Sequence, residues 1–404
     1  MTGRRTAARC AWFAAAVLAA CGGGSSAPRQ STSTPAPVPG ATIEIPKGQP
    51  LKIGVSAALS GDQQGLGLDL ADAVELAVRD RKATLKGHPL RVVRMDDRCG
   101  DAEQAVAVAR SLVADQAVAG VIGPMCTTGA QAADSVYEAG HVIHILPAAT
   151  RDDLSQQGER FLFRTAWVDI AQAKAQAVYA ATSLHASTAV VVDDAEPYGT
   201  ALADEFAAAF QAGGGTVASR ERVQRGDKDF SALARKVTTV NPDIVVFEGL
   251  NPEGALVVQA LRKGGYRGAF IAPDGVLSAR DFIGADKSSS ADGAIVTGGP
   301  VPDDAFVATF RDAFGRVPGT PFVLQAHDAA TALLKAIESV ATERADGALI
   351  IDRQQLAAAL RAQSSEGLTG PIRFDDQGDR SGATAREAGL VVYVVKNGRF
   401  EPAP

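Results

Sequence analysis

The stretch VAGVIGPMCTTGAQAADSVYEAGHVIHILPAAT, residues 118–150, decides the fold. It begins with a short apolar run bounded by glycine and proline, which predicts a buried strand over 118–122. Residues 130–138 have helix-forming composition with apolar side chains at helical spacing, and Gly140 ends that helix. A second apolar run predicts another buried strand over 142–146. The order strand, loop, helix, strand, loop is typical of an α/β protein with a parallel sheet.

Both predicted strands of this stretch end in loops of small and hydroxyl-bearing residues, at 125–129 and 147–150. In an open α/β sheet, ligands bind at the carboxyl ends of the strands. The helix that begins near Thr127 presents unpaired N–H groups and a partial positive charge, which suits a carboxylate. The residues alone leave two interpretations open, a ligand-binding edge or two ordinary tight loops between strand and helix.

The alternation of strand and helix continues on both sides of this stretch. Apolar runs alternate with amphipathic segments over 52–165, and a second series of the same kind covers 189–272. Helices are predicted again over 303–362, between returning strands at 293–297 and 389–395. Two such series predict two similar lobes, each with a parallel sheet and right-handed crossovers.

Composition narrows the classes of function. The chain has 404 residues, enough for two lobes, and its net charge of −6 comes without a basic stripe, so we expect no nucleic-acid partner. The sequence lacks a nucleophile elbow, a P-loop, metal-ligand spacing and a dinucleotide fingerprint. We therefore expect a protein that is not an enzyme and that uses neither a metal nor a cofactor.

The amino terminus is typical of exported proteins. Residues 1–20 contain three arginines followed by an apolar run too short to span a bilayer, as in a signal peptide. They end in Leu18-Ala19-Ala20-Cys21, which resembles the lipobox of bacterial lipoproteins, in which the cysteine is lipidated and becomes the mature terminus. Simple cleavage with Cys21 incidental is the alternative. Residues 22–49 are rich in Gly, Ser, Thr and Pro and predict a flexible tether. We expect an extracytoplasmic protein held to the membrane by lipid.

Two cysteines, Cys99 and Cys126, remain in the exported chain once Cys10 leaves with the signal and Cys21 takes lipid. An oxidising compartment favours a disulfide between them. Two free thiols or a metal pair are the alternatives, and the absence of a nearby histidine disfavours metal.

The stretch at 118–150 resembles the binding core of the leucine/isoleucine/valine-binding proteins, the type I periplasmic substrate-binding proteins of ABC importers. Those proteins carry a Cys-Ser-Ser and a Pro-Ala-Ala-Thr segment at this spacing, which appear here as Cys126-Thr127-Thr128 and Pro147-Ala148-Ala149-Thr150. Further matching motifs are Ser60-Gly61, Asp96-Asp97-x-Cys99, Tyr198-Gly199, Asn251-Pro252-Glu253 and Pro273-Asp274-Gly275.

The resemblance covers residues 50–396 and implies two Rossmann-like lobes with parallel sheets, joined by a three-strand hinge. The implied limits are 50–167 with 299–378 for lobe 1, 168–298 with 379–396 for lobe 2, and 397–404 for a tail. It also implies a Cys99–Cys126 disulfide. The implied partners are a small amino-acid ligand, an ABC permease with its ATPase subunits, and the membrane through the lipid anchor. We expect a monomer.

The resemblance also assigns roles to site residues. Thr127 and Thr150 would hold the α-carboxylate of an amino acid, and the Ala148 carbonyl would face its ammonium. Asp274 would be the counter-ion of that ammonium, and Tyr198 would close over the ligand from lobe 2. Ordinary structure offers an alternative for each, since threonines cap helices and Pro-Asp-Gly forms turns.

Several pocket positions depart from the family pattern. Asp274 replaces a glutamate, so its carboxylate is one methylene shorter. Leu66 and Leu250 stand where the relatives have aromatic residues, whereas Phe322 matches a residue that lines their pocket. Glu248 replaces a small residue and would favour a cationic or polar ligand if it faced the cleft.

The sequence thus predicts a lipoprotein that captures a small amino acid, branched-chain or related, and delivers it to an ABC importer. The alternative is a sensor of the same fold that binds an amide, urea or another small polar solute. A structural envelope lipoprotein without a ligand is a third possibility.

Overall fold

The computed structural model describes residues 41–285, 289–320, 322–381 and 389–403. The signal predicted over 1–20, Cys21 and the tether up to residue 40 lie outside these ranges. Within the described ranges, no helix is long and apolar enough to cross a membrane.

The first half of the chain builds a six-stranded sheet. This part of the chain contains β1 (Thr42–Ile45), which lies outside that sheet, and then β2 (Leu51–Ala57), α1 (Gln64–Asp80), β3 (Thr84–Leu85), β4 (His88–Asp96), α2 (Ala102–Ala114), β5 (Val118–Ile122), α3 (Thr127–Ala139), β6 (Ile143–Leu146) and β7 (Leu162–Arg164). The strand order is β3-β4-β2-β5-β6-β7, and all neighbours except β3 and β4 run parallel. Every residue of β5 is buried, as the continuous apolar run requires of a central parallel strand. We call this sheet and the helices that cover it lobe 1.

A glycine sets the turn after β5. Gly123 has φ +115°, and a Cβ atom there would lie 2.1 Å from the Ser56 carbonyl oxygen. Only glycine adopts this backbone conformation at this approach, so the chain leaves the sheet edge directly into the loop that precedes α3.

The next part of the chain builds a second sheet. Its elements are α4 (Asp169–Thr182), β8 (Thr188–Asp193), α5 (Pro197–Ala212), β9 (Thr216–Arg222), α6 (Ser231–Val240), β10 (Ile244–Glu248), α7 (Glu253–Lys263), β11 (Ala269–Ala272) and β12 (Ile295–Gly298). Strands β9, β8, β10, β11 and β12 are parallel neighbours in that order. We call this sheet and its helices lobe 2.

The remaining chain contributes to both lobes. It contains α8 (Asp304–Phe314), α9 (Val323–Val340), β13 (Thr342–Glu343), β14 (Leu349–Asp352), α10 (Arg353–Ala362), β15 (Ser364–Gly367), β16 (Gly370–Arg373), β17 (Val391–Lys396) and β18 (Arg399–Pro402). Helix α9 shares the main apolar core of lobe 1 with α1 and β2. Strands β17 and β18 extend the lobe 2 sheet antiparallel beyond β12. The chain therefore passes between the lobes three times, after β7, after β12 and between β16 and β17.

The two-lobed α/β prediction is confirmed, but both of its unstructured ends need correction. Within the segment predicted as a tether up to residue 49, β1 forms instead; it pairs with β14 and buries Ile43 and Ile45 completely or nearly so. The tail predicted over 397–404 contains β18, which pairs with β17. Both strands are four residues long and gain their stability from a distant partner strand, so local composition does not reveal them.

Candidate ligand-binding site

The carboxyl edges of the two sheets meet at a cleft. The space in it is about 550 Å³, part of which is open to solvent. The residues that line it are Leu66, Cys99, Gly100, Met125, Cys126, Thr127, Thr128, Ala148, Asp194, Glu196, Tyr198, Arg225, Leu250, Asp274, Gly275 and Phe322. Lobe 1 supplies one wall of this cleft and lobe 2 the other.

The wall from lobe 1 presents the beginning of α3. The first hydrogen bond of this helix runs from the Ala130 N–H to the Cys126 carbonyl, 2.9 Å away, so the N–H groups of residues 127–129 come before it. The capping position is held by Cys126, whose side chain makes no capping hydrogen bond. These donors and the positive end of the helix dipole face a cleft-lining position, which suits a carboxylate.

A disulfide anchors this helix start. Cys99 and Cys126 are bonded, which confirms the pairing implied by the family resemblance and closes a loop of 27 residues. The bond ties the loop after β4 to the residue just before α3. It therefore fixes the position of Thr127 at the cleft.

The wall from lobe 2 presents a carboxyl group. The Tyr198 hydroxyl donates a hydrogen bond of 3.0 Å to Oδ1 of Asp274, and both side chains are more than nine-tenths buried. Burial raises the pKa of Asp274 to about 6, and the hydrogen bond from Tyr198 opposes part of that rise. An ionised Asp274 in this position favours a cation in the cleft.

Two further carboxyl groups lie close to Asp274. Asp169 at the start of α4 and Glu248 at the end of β10 are fully buried, and their carboxyl oxygens make no hydrogen bond of ordinary geometry with any described residue. Burial raises the pKa of each well above its ordinary value, and the negative charges of the other two members of the group add to the rise for Glu248. We call Asp169, Glu248 and Asp274 the buried acidic cluster.

Seven of the nine residues expected to contact ligand line the cleft: Leu66, Thr127, Ala148, Tyr198, Leu250, Asp274 and Phe322. The ring of Phe322 also stacks on Trp167, with 5.2 Å between ring centroids. Thr150 and Glu248 are not among the lining residues. Thr150 is buried behind the loop, where its carbonyl accepts the Asp169 N–H at 2.9 Å.

Glu248 faces the interior of lobe 2. Side chains alternate along a strand, so Glu248 shares the face of β10 that carries Ile244 and Val246. That face packs against α4 and α5 through residues such as Ala177 and Leu202. The structure thus answers the question left by the sequence: this carboxyl group is a buried neighbour of the site rather than part of the cleft wall.

Three charged lining residues, Asp194, Glu196 and Arg225, are not among the residues predicted from the sequence. Asp194 follows β8 and accepts hydrogen bonds from the N–H groups of Glu196 and Leu250, and burial raises its pKa to about 6. Its place at the carboxyl end of a predicted strand was a usable signal. Arg225 lies in the loop after β9, with its Nε 3.4 Å from a carboxylate oxygen of Glu253, and nothing in its local sequence indicates a place at the cleft.

The described part of the chain contains no group of three or more His, Cys, Asp or Glu side chains that could hold a metal ion.

The sequence is similar to a known family and to proteins of known ligand. The sequence pattern of a family described as periplasmic binding protein matches residues 50–399. The Leu/Ile/Val-binding protein of Escherichia coli K12 is 30% identical over 338 residues, which cover 82% of this chain and 88% of that protein. The leucine-, isoleucine-, valine-, threonine- and alanine-binding protein of Pseudomonas aeruginosa is 31% identical over 331 residues, or 79% of this chain and 82% of that one.

Solved structures of binding proteins also have folds similar to this one. A leucine-binding protein from Thermotoga maritima superposes with a TM-score of 0.76 at 27% identity, covering 88% of this chain and 98% of that one. A solute-binding protein of an ABC transporter from R. palustris, solved with benzoate, has a TM-score of 0.75 at 20% identity, covering 87% and 95%. The second likeness shows a shared fold alone.

Proposed function

Because the chain belongs to the periplasmic binding protein family, in its Leu/Ile/Val-binding group, we propose that it captures a small amino acid between its lobes and delivers it to an ABC importer. The family consists of solute-binding proteins of ABC transporters, and its members are not enzymes. One observation supports the proposal most directly: one wall of the cleft favours a negative group of the ligand, and the opposite wall favours a positive group. A helix start without a side-chain cap stands on one wall and a buried aspartate on the other.

A zwitterionic amino acid satisfies both walls at once. Its carboxylate would accept hydrogen bonds from the N–H groups and hydroxyls at Thr127 and Thr128. Its ammonium would pair with Asp274 and donate to the Ala148 carbonyl. A cation beside Asp274 offsets the cost of burying that carboxylate, which water cannot solvate in the closed cleft.

The remaining predicted residues receive distinct proposed roles. Leu66, Leu250 and Phe322 would form the apolar surface against the ligand side chain. Thr150 and Glu248 would act indirectly, through the loop of Ala148 and through the potential of the buried acidic cluster. Tyr198 would orient the Asp274 carboxylate by its hydrogen bond.

The cellular setting is part of the same proposal. Lipid on Cys21 would hold the protein, as a monomer, on the outer side of the cell membrane beside its permease. The lobes would follow the predicted limits, 50–167 with 299–378 and 168–298 with 379–396, except that β1 joins lobe 1 and β18 joins lobe 2, and they would close on the ligand like a hinge.

A thermal-shift screen tests the proposal. The chain from residue 22 is heated with each of the twenty amino acids, and with acetamide, urea and benzoate for comparison. A ligand at 100 times its Kd adds about 2.7 kcal/mol of stability, which gives a clear rise in Tm. We expect at least one amino acid to raise the Tm. A rise with an amide or urea alone would favour the sensor alternative, and a rise with benzoate alone would contradict amino-acid recognition.

A further inference from the structure

The cleft continues into a second space, which we call the side chamber. Leu66, Asp274, Gly275 and Phe322 line both spaces, so the side chamber opens beside the proposed ammonium position. Its polar walls come from Asp62, Gln63, Asn251, Ser278, Asp281 and Thr320. None of the positions named in the sequence analysis as ligand contacts accounts for these polar walls.

Both lobes build the side chamber. Gln63 precedes α1 in lobe 1, and its Nε2 donates a hydrogen bond of 2.5 Å to the Asn251 carbonyl in lobe 2. This bond crosses the cleft between two buried residues. The side chamber therefore exists in the closed arrangement of the lobes, where a ligand side chain would be enclosed.

Two buried oxygens in the side chamber walls lack hydrogen bonds. Asn251 is 6% exposed and Thr320 is 9% exposed. The Asn251 Oδ1 and the Thr320 Oγ1 have no hydrogen-bond partner among the described residues, although the Asn251 Nδ2 donates to the Val276 carbonyl. The Asn251 Oδ1 can only accept a hydrogen bond, and the Thr320 hydroxyl can also accept one. Leaving a buried polar atom unpaired is costly, and a ligand that brings a donor removes that cost for both.

The charges of the side chamber walls also favour a ligand group that donates hydrogen bonds. Asp62, Asp274 and Asp281 line the side chamber, whereas no Lys or Arg does so among the described residues. Arg280 is adjacent in sequence, and its Nε and Nη2 both donate to Asp281, which offsets the charge of that carboxylate and leaves Asp62 and Asp274 as the negative walls. A carboxylate on the ligand side chain would meet negative neighbours there, and a hydrocarbon would leave the two oxygens unpaired.

We propose that the side chain of the bound amino acid ends in a hydrogen-bond donor, an amide or ammonium group, which enters the side chamber and pairs with Asn251 and Thr320. This proposal rests on the proposed function and narrows its ligand class. A purely aliphatic side chain is then the poorer ligand, because it satisfies neither oxygen.

Calorimetric titration of the chain from residue 22 with matched ligands tests the proposal. The series is L-leucine, L-asparagine and L-aspartate, which have side chains of nearly equal shape, then L-methionine, L-glutamine and L-glutamate, and finally L-lysine. We expect a donor-ended member, Asn, Gln or Lys, to bind at least about tenfold more tightly than the aliphatic and acidic members.

Two variants test whether Asn251 and Thr320 are the residues that pair with the ligand side chain. Thr320→Val keeps the side-chain shape and removes the hydroxyl, and Asn251→Leu removes the amide. Each should reduce the preference for the donor-ended ligand over Leu or Met by about threefold or more. Thr309→Val removes an exposed helix hydroxyl that bonds only its own helix backbone, and should leave the preference unchanged. If Asn251→Leu fails to fold, Thr320→Val alone decides.

Three results would overturn the proposal. The first is tighter binding of Leu or Met by the unaltered chain, and the second is an unchanged preference in Thr320→Val. Under either result the proposed function survives, because an amino acid still binds. The third is no binding by any of the seven ligands. In that case the thermal-shift screen shows whether another amino acid binds, which would support the proposed function, or whether none binds, which would contradict both proposals.

Discussion

Tyr198 donates a hydrogen bond of 3.0 Å to Asp274 within the part of lobe 2 that lines the cleft. The bond links the start of α5 to the residues just after β11. Both residues line the cleft, and both are buried. Because this bond stabilises the ionised form of Asp274, it opposes the rise in pKa that burial causes. The tyrosine thus helps to keep the proposed ammonium partner charged.

The first prediction concerns this hydrogen bond and pH. Affinity for an amino acid should weaken as the pH falls through about 6, because Asp274 becomes protonated and loses its attraction for the ammonium. Tyr198→Phe should weaken binding about tenfold at pH 7 and move the pH dependence upward, since the Asp274 pKa rises. Calorimetric titration between pH 5 and 8 measures both effects.

Tyr179→Phe is the matched control, because Tyr179 lies half-buried on α4 and is not a lining residue of the cleft. It should leave the affinity and its pH profile unchanged. Asp194 also lines the cleft and has a pKa of about 6. A pH profile that is the same in Tyr198→Phe and the unaltered chain would therefore assign the titration to Asp194 and contradict the prediction for Asp274.

The second prediction concerns Glu248 and stability. Burial raises its pKa in the folded protein, so its contribution to stability is present at low pH and is lost as the pH rises above the ordinary value of a glutamate. Glu248→Gln removes this loss. The Tm of the variant should exceed that of the unaltered chain at pH 8, and the difference should shrink toward pH 5. Thermal unfolding followed by circular dichroism gives both Tm values.

Glu401→Gln serves as the control for Glu248, because Glu401 is exposed on β18 of the same lobe. Its Tm should match that of the unaltered chain at both pH values. A lower Tm for Glu248→Gln at pH 8 would mean that the carboxylate stabilises lobe 2, contrary to its buried setting beside two other carboxyl groups.

The third prediction concerns the disulfide. Replacing Cys99 and Cys126 together by serine opens a loop of 27 residues and should lower the free energy of unfolding by about 3.5 kcal/mol in the chain-entropy model. Affinity should also fall, since the start of α3 is no longer held. Urea unfolding with and without a reducing agent measures the change. Reductant should not affect the double variant, and an equal urea midpoint for both proteins would show that the bond contributes nothing.

The fourth prediction concerns β1. A chain that begins at residue 50 lacks Ile43 and Ile45, whose burial against β14 contributes about 1.5 to 3 kcal/mol each. It should be less stable by at least about 3 kcal/mol than a chain that begins at residue 41. A chain that begins at residue 22 is the control and should match the one that begins at 41. Equal urea midpoints for the starts at 41 and 50 would show that β1 is dispensable.

The central strands and helices follow from local sequence because their patterns are long and self-contained. Strand β5 has the limits that the sequence predicts, and helix α10 lies within the helical region predicted over 303–362, since a buried parallel strand and an amphipathic helix each have a distinctive periodicity. A strand is predicted over 370–375, where β16 forms, whereas β1 and β15 are not predicted, because short runs of Thr, Ile, Ser or Gly do not single out their pairing with a partner strand.

The cleft residues were predictable where a motif marks the end of a strand. Thr127, Ala148 and Asp274 follow strands that were recognised, and the family resemblance placed them together. Arg225 and Gln63 reach the cleft or its side chamber only through the packing of the two lobes, which no local pattern encodes. For Glu248 the sequence predicts a position at the end of a strand. It does not predict which face of that strand carries the side chain, and the structure shows the face that packs inside lobe 2.

The most direct test of amino-acid recognition is a calorimetric titration of two proteins with two ligands at pH 7.5. The proteins are the unaltered chain and Asp274→Asn, and the ligands are the amino acid with the largest thermal shift and the same molecule without its α-amino group. We predict that the unaltered chain prefers the amino acid by at least about 30-fold and that Asp274→Asn loses most of that preference, since a buried charge pair is broken. Equal binding of the two ligands by the unaltered chain, or an undiminished preference in Asp274→Asn, would contradict the pairing of Asp274 with a ligand ammonium.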